Sequence, residues 1–179
     1  MAEGVRRPDV IDLRGRQDEP AVLNVLELSH GSEEALDEVR SHYASGEWEF
    51  IGLQVEGQVV GCAYLRVTGM DAYLGLLSVL PRRQGRGFGS ELLAECERFA
   101  HEDLGCHRLC ISVITSHRPD LTAFYERRGF ERTGKFKSFE RKQALQGKKV
   151  DGMLLEWMEK PLSVPAMREP RMRFMPNLI

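Results

Sequence analysis

The sequence predicts a single domain of the α/β (α+β) class, in which helices on both faces cover a mixed, mostly antiparallel sheet. Segments typical of strands and helices follow one another in the order β-α-α-β-β-β-loop-α-β-α-β-β. Strands joined directly favour antiparallel pairing, and the later β-α-β unit favours a parallel pair. A chain of 179 residues, 42% of them hydrophobic, suits one such core.

In the first half, Val10–Leu13 is expected to form a short strand, and two amphipathic helices are expected between Asp18 and Gly46. Phe50–Val55 and Gln58–Val67 are rich in β-branched and apolar residues. They are separated only by Glu56-Gly57, which predicts a tight hairpin. Both faces of the second of these strands are apolar, so it is expected to lie inside a sheet covered on both sides.

In the second half, apolar alternation predicts four further strands, and apolar residues at helical spacing predict two helices. The strands are Ala72–Leu80, His107–Ile114, Phe130–Phe139 and Asp151–Glu159. One helix is expected over Ser90–Glu102, and the other from Pro119 to a stop at Gly129. Arg141–Lys149 is expected to be a polar loop.

The domain is expected to span residues 1–162, followed by a C-terminal tail over residues 163–179. The tail holds three prolines and no periodic pattern. It is expected either to be disordered or to dock its apolar residues over a groove of the domain or on the neighbouring subunit of a homodimer. Neither arrangement is favoured by the sequence.

Charge and hydropathy exclude several classes of protein. The net charge of −2 gives no global attraction to nucleic acid or to an anionic membrane. No apolar run approaches the roughly 18 residues of a membrane span. The N-terminus lacks the apolar core of a secretory signal, so a cytoplasmic location is expected.

The four cysteines are expected to be buried free thiols. Cys62, Cys96, Cys106 and Cys110 contain no C-x-x-C pair, and only His107 adds a further ligand type near them. A structural zinc site needs about four well-placed ligands. The sequence therefore predicts no metal.

A glycine-rich loop follows the predicted strand that ends before Pro81. Gly85, Gly87 and Gly89 stand directly before a helix. Glycine lets a ligand approach the backbone closely, and a helix N-terminus offers unpaired N–H groups and a positive dipole end. These features predict a cradle for a pyrophosphate, with three arginines close by in the sequence.

The spacing of the glycines excludes two common phosphate sites. A P-loop would need a lysine after its last glycine, and none is present. A dinucleotide fingerprint needs G-x-G-x-x-G, whereas this loop has G-x-G-x-G. A glycine-rich turn that binds nothing remains the alternative.

The loop resembles the acetyl-CoA signature of the GNAT superfamily, in which Gln or Arg is followed by x-x-G-x and then Gly or Ala. Here the matching residues are Gln84, Gly87 and Gly89. A second segment, from Leu121 through Tyr125 to Gly129-Phe130, is similar to the family pattern A-x-x-x-Y-x-x-x-G-F. The order of elements also fits over most of the chain.

The resemblance implies an N-acetyltransferase that uses acetyl-CoA as co-substrate and a primary amine as acceptor. It implies that the backbone of Leu77, Ser78 and Val79 holds pantetheine and polarises the thioester carbonyl. Tyr125 would donate a proton to the departing thiolate. The pyrophosphate would lie on the backbone of Gln84, Gly85, Arg86, Gly87, Phe88, Gly89 and Ser90.

The chain departs from the family pattern at three places, and this leaves the general base open. Leu121 replaces a small residue of the pattern. Arg118 stands where many members have Asn, and the strand before Pro81 carries no Glu. The candidates for the base are Glu27, His30, Glu49, His117 and a water path to bulk solvent. A non-catalytic module that senses acyl-CoA is the alternative to an enzyme.

The acceptor is expected to be cationic, because the predicted first two helices are acidic. Between Asp18 and Glu56 there are ten acidic residues and one basic residue, Arg40. In the family fold these helices form a wall of the acceptor site. A negative wall attracts cationic amines, although solvated helix faces would show the same composition.

Overall fold

The structure is a computed structural model that describes residues 8–13, 22, 24–25, 41–42, 44–115, 119–139 and 153–162. Most of the two helices predicted between residues 18 and 46, the polar loop and the tail over residues 163–179 lie outside the described residues. The predicted boundary between domain and tail at residue 162 therefore stays a prediction.

A seven-stranded sheet forms the centre of the described part of the chain, in the order β1-β2-β3-β4-β5-β7-β6. Its strands are β1 Asp9–Asp12, β2 Trp48–Val55, β3 Gln58–Thr68, β4 Asp71–Val79, β5 Arg108–Ile114, β6 Glu131–Phe139 and β7 Met153–Pro161. All neighbouring strands pair antiparallel except β4 and β5, which pair parallel. This confirms the expected mixed, mostly antiparallel sheet.

The β2–β3 hairpin forms at the predicted turn. Glu56 and Gly57 both have positive φ, at 50° and 79°. Two such residues match the right-handed twist of the flanking strands, which is why a glycine is favoured there. Residues 59–65 of β3 are buried without a break, as expected for a strand covered on both faces.

Two described helices follow the sheet's central strands. The first, α1, spans Phe88–Arg98 and continues into a wider π-type turn over Phe99–Asp103. It begins two residues earlier than the sequence predicts, because Gly87 adopts the left-handed conformation and starts the helix as its N-cap. The second, α2, spans Pro119–Glu126, and Gly129 follows with φ of 85°.

Helical residues lie on both faces of the sheet. A Cβ on Gly61 of β3 would meet Leu92 of α1 at 3.3 Å, so α1 covers the face toward which Gly61 is directed. Tyr64 points to the opposite face. There its ring lies 5.4 Å from that of His42, a helical residue. The predicted fold class is thus confirmed.

Two further observations concern the described residues only. No helix among them combines the length and the apolar character needed to cross a bilayer. All four cysteines are free thiols, and three of them are buried.

Candidate active site

A gap opens between β4 and β5 beyond their first residues. The two strands pair from Asp71↔Arg108 to Leu74↔Ile111 and then separate. On their outer sides each strand stays paired, β4 with β3 up to Val79 and β5 with β7 up to Ile114. We call this opening the strand gap, and its closed end at Leu74↔Ile111 the vertex.

A β-bulge in β4 lies at the start of the strand gap. Tyr64 pairs with Leu76 and Leu65 with Leu74, so Gly75 is the extra residue. A Cβ on Gly75 would lie 1.7 Å from Cε2 of Tyr64, so only glycine fits there. Bulges bend a strand and increase its twist, which turns the rest of β4 away from β5.

The closed end is fastened by charged side chains. Arg108 donates to both carboxylate oxygens of Asp71, at 3.0 and 2.7 Å, and to Glu159 at 3.3 Å. The hydrogen bond from Arg108 holds the pKa of Asp71 below its usual value. These bonds join β4, β5 and β7 at one end, while the other end stays apart.

The register shows which backbone groups of β4 face the strand gap. The amide of Leu80 donates to Val60 of β3, and amides alternate in direction along an antiparallel strand. The amides of Leu77 and Val79 therefore face the strand gap, whereas that of Ser78 faces β3. Of the three residues expected to hold pantetheine, two present their N–H groups to the strand gap.

The glycine-rich loop lies between β4 and α1 and forms a set of unused donors. Gly85 and Gly87 have φ of 72° and 88°, which glycine adopts without strain. Within the described part of the chain, no acceptor binds the backbone N–H groups of residues 85–89, whereas Ser90 already donates to Gly87. Phe88 is buried and anchors the loop in the core. We call residues 85–89 the anion cradle.

Gln84 fastens the loop to β4. Its Nε2 donates to the carbonyl of Val79 at 3.0 Å, and its backbone N–H donates to Pro81. Both groups are thus occupied within the protein. Gln84 therefore holds the end of β4 beside the anion cradle. The backbone N–H of Gln84 is not free to bind a ligand.

The three arginines of the loop add positive charge. Arg82 and Arg86 are exposed and Arg83 is half-buried. No carboxylate among the described residues forms an ion pair with any of them. An anion bound at the N-terminus of α1 would therefore meet unneutralised cations as well as the helix dipole.

Gly89 differs from the other two glycines of the motif. Its φ is not in the positive range, and an added Cβ would lie 3.9 Å from both Phe124 and Val79, an ordinary packing distance. An alanine would fit here. This agrees with a signature that accepts Gly or Ala at this position.

Arg128 is a residue that the sequence reasoning missed. Its guanidinium lies 3.6 Å over the ring of Phe124, donates to the Phe124 carbonyl at 2.9 Å and hydrogen-bonds Ser90 Oγ. Burial lowers its pKa, yet an arginine stays charged at neutral pH. Arg128 therefore joins α2 to the first turn of α1, next to the anion cradle.

Tyr125 lies on α2, between aromatic neighbours. Its ring stands edge-on to Phe124 at 5.1 Å and to Phe130 at 5.4 Å. Burial raises the pKa of Tyr125 to about 12, the nearby Cys96 adds to the rise and Arg128 opposes it. The phenol is therefore neutral over the physiological pH range and can donate a hydrogen bond or a proton there.

A cavity of about 250 Å³ lies beside α2. It is lined by Thr115, Pro119, Thr122, Ala123, Glu126 and Arg132. Arg132 also pairs with the buried Glu156 at 2.6 Å. Within the described ranges, no three His, Cys, Asp or Glu side chains are arranged to hold a metal ion.

The sequence matches a known protein family. A sequence model described as "Acetyltransferase (GNAT) family" matches residues 20–130. A search of curated protein sequences finds no match.

Solved structures share the fold at low sequence identity. The ribosomal-protein-S18-alanine N-acetyltransferase from Escherichia coli superimposes with a TM-score of 0.70 at 21% identity, covering 93% of this chain and 99% of its own. A GNAT family acetyltransferase from Elizabethkingia anophelis with acetyl-CoA bound gives 0.65 at 15% identity, covering 88% and 99%. A spermidine N-acetyltransferase chimera that derives in part from Vibrio cholerae gives 0.65 at 17% identity, covering 87% and 96%.

Proposed function

This chain belongs to the GNAT acetyltransferase family, and we propose that it transfers an acetyl group from acetyl-CoA to a primary amine by direct attack. The observation that carries this proposal is that two sets of unpaired backbone N–H groups follow one another along the chain. The strand gap offers the amides of Leu77 and Val79, and the anion cradle continues from the same end of β4. Together, the strand gap and the anion cradle could bind a phosphorylated ligand that has an extended, amide-containing arm.

The roles proposed for the backbone follow from this placement. The anion cradle would take the pyrophosphate through its N–H groups, and pantetheine would add to β4 as a further strand. The amide of Leu77 or Val79 would polarise the thioester carbonyl. A preorganised amide there stabilises the negative charge that develops on the oxygen during attack.

Tyr125 is proposed as the group that assists departure of the thiolate. Its pKa of about 12 keeps it protonated, whereas a thiol in water has a pKa of about 8.5. Full proton transfer to a solvated thiolate would therefore be uphill. Tyr125 would act first by hydrogen-bonding the developing thiolate, whose own basicity rises in the same apolar surroundings.

For the proton that the attacking amine loses, we propose water in the strand gap. Glu27, His30 and His117 lie outside the described residues. Glu49 lies on β2, so that β3 stands between it and β4. A protonated lysine-like amine near pKa 10.4 costs about 4.6 kcal/mol to deprotonate at pH 7, and the open gap would give that proton a path to solvent.

We propose a cationic acceptor and a cytoplasmic location. The acidic run from Asp18 to Glu56 supports the first, although most of it lies outside the described residues. Two structures of the same fold are a ribosomal-protein-S18-alanine N-acetyltransferase and a spermidine N-acetyltransferase chimera, so by their names this fold serves both a protein and a polyamine acceptor. Four free thiols suit a reducing compartment.

The test is release of free thiol from acetyl-CoA in the presence of a panel of amines. The panel contains diamines and basic peptides as cations, and glutamate as an acidic acceptor. We expect thiol release with the cationic amines, and we expect the kcat/KM for these amines to fall as the salt concentration is raised. Turnover confined to glutamate would contradict the acceptor class, and no turnover with any amine would contradict the transfer.

A non-catalytic module that senses acyl-CoA is the second candidate. It is favoured by the lack of a free carboxylate on β4, whose acidic residue Asp71 is tied to Arg108. Calorimetric binding of acetyl-CoA without thiol release from any amine would establish this candidate over the first.

A further inference from the structure

A pair of hydroxyl groups lies at the vertex of the strand gap. Tyr73 Oη on β4 and Ser112 Oγ on β5 are 2.7 Å apart and share a hydrogen bond. Tyr73 stands one residue before the last paired residue of β4, and Ser112 one residue after the last paired residue of β5. The pair therefore bridges the two strands at the point where they part.

Aromatic rings surround this pair. The ring of Trp157 on β7 lies 5.4 Å from that of Tyr73, and that of Trp48 on β2 lies 6.1 Å from it. Tyr73, Ser112 and Trp157 are all half-buried. They thus remain partly open to a ligand.

These side chains share the face of the sheet opposite to α1. Trp48 and Tyr73 both pair with Arg66 on β3 in the register, and Ser112 pairs with Trp157. Residues directly opposite each other point to the same face. Trp48 also contacts Tyr64, which points away from α1.

The inference drawn from the hydroxyl pair and the rings at the vertex rests on the proposed function. An arm that begins at the anion cradle and runs along Leu77 toward the N-terminal end of β4 brings its thioester to the vertex. The five steps along the chain from Val79 back to Leu74 span about 17 Å of extended strand. Since α1 covers one face, an attacking amine would reach the vertex from the other face, where Tyr73, Ser112 and Trp157 are only half-buried.

We infer that Tyr73, Ser112 and Trp157 form the subsite for the acceptor's amino group and select cationic primary amines. Ring faces attract a cation, and the hydroxyl oxygens accept its N–H bonds. Arg66 lies over Trp48. Among the described residues, no lysine or arginine lies over the ring of Tyr73 or of Trp157, and both side chains are only half-buried.

Tyr73 and Ser112 act here as positioning residues. They hold the nitrogen at the vertex and direct its lone pair toward the thioester once the proton has left. Their loss raises the KM for the amine and leaves the KM for acetyl-CoA unchanged. A residue with a purely structural role would change both or neither.

Fluorescence gives a readout that does not require turnover. The chain has two tryptophans, Trp48 and Trp157, and both belong to this cluster. The variant Trp48→Phe leaves Trp157 as the only indole. Titration of this variant with diaminobutane, in the presence of CoA, is expected to change its emission in a saturable way. The neutral analogue butanol is expected to change it little.

The kinetic arm uses the conservative variants Tyr73→Phe and Ser112→Ala. Each is expected to raise the KM for diaminobutane at least tenfold, while calorimetry shows unchanged acetyl-CoA affinity and hence an intact fold. Thiol release with an unchanged amine KM in both variants would overturn the inference and leave the proposed function standing. Saturable diamine binding without thiol release would support the subsite and contradict the proposed function. If the emission of Trp157 did not change on addition of the diamine, the proposed subsite would be wrong.

Discussion

Replacing Gly87 with valine tests the anion cradle. Gly87 has φ of 88° and an added Cβ meets no atom within 4 Å, so a valine side chain would occupy the open space in front of the loop. That space is where a phosphate must come to reach the N–H groups of Gly87 and Phe88.

The substitution is expected to have two separate effects, whose sizes follow from general physical principles. A side chain in the left-handed region costs about 1–2 kcal/mol of stability. Loss of two charge-assisted hydrogen bonds, at about 1.5–3 kcal/mol each, would weaken acetyl-CoA binding by roughly 10²–10⁴-fold. The first effect is general, and the second is confined to the anion cradle.

Gly57→Val is the matched control. Gly57 has a similar φ of 79° and equally open surroundings, but it lies in the β2–β3 hairpin away from the loop. Urea unfolding is expected to show comparable losses of stability for both variants. Calorimetry is expected to show weakened acetyl-CoA binding for Gly87→Val only. Equal and undiminished affinity in both variants would refute the reasoning.

Three further changes have defined outcomes. Tyr125→Phe is expected to lower kcat at least tenfold with little change in the KM for acetyl-CoA, since general acid catalysis is worth on the order of 10²–10⁴-fold; a kcat within twofold of the parent would make Tyr125 structural. Arg128→Met is expected to weaken acetyl-CoA binding about tenfold in calorimetry, through loss of a charged hydrogen bond at the first turn of α1. The exposed neighbour Arg127→Met is its control, and equal effects would contradict a specific role. Burial raises the pKa of Cys62 from 9.0 to about 12, so its thiol favours folding below pH 9 and loses that effect as pH rises toward 12. Between pH 8 and pH 10.5, the free energy of unfolding measured with urea should fall by about 2 kcal/mol less in Cys62→Ala than in the parent. Equal falls in the two proteins would contradict this.

The sequence predicted the strands to within a few residues, because their patterns are local. Alternation of apolar residues and the Glu56-Gly57 turn fix the β2–β3 hairpin without knowledge of the rest of the fold. The glycine-rich loop before α1 was equally predictable, since three glycines before a helix are a local feature. That this loop binds an anion stays a prediction. The family resemblance then supplied the roles that local patterns do not contain.

The features that the sequence reasoning missed depend on contacts between distant segments. Arg128 reaches Ser90 only because α2 packs beside the start of α1. The vertex pair requires the register of β4 with β5. Gly75 was different, since a glycine inside a strand pattern is itself a signal of a bulge, and this signal was available.

Binding of acetyl-CoA can be followed residue by residue at the backbone amides that are proposed to hold it. In a 15N-labelled sample, backbone amide signals report each N–H group separately during a titration. The account predicts that the largest shifts occur at Gly85, Gly87 and Phe88 in the anion cradle and at Leu77 on β4, while Gly57 stays unchanged. Saturated binding that leaves the amides of the anion cradle and of Leu77 unshifted would contradict it.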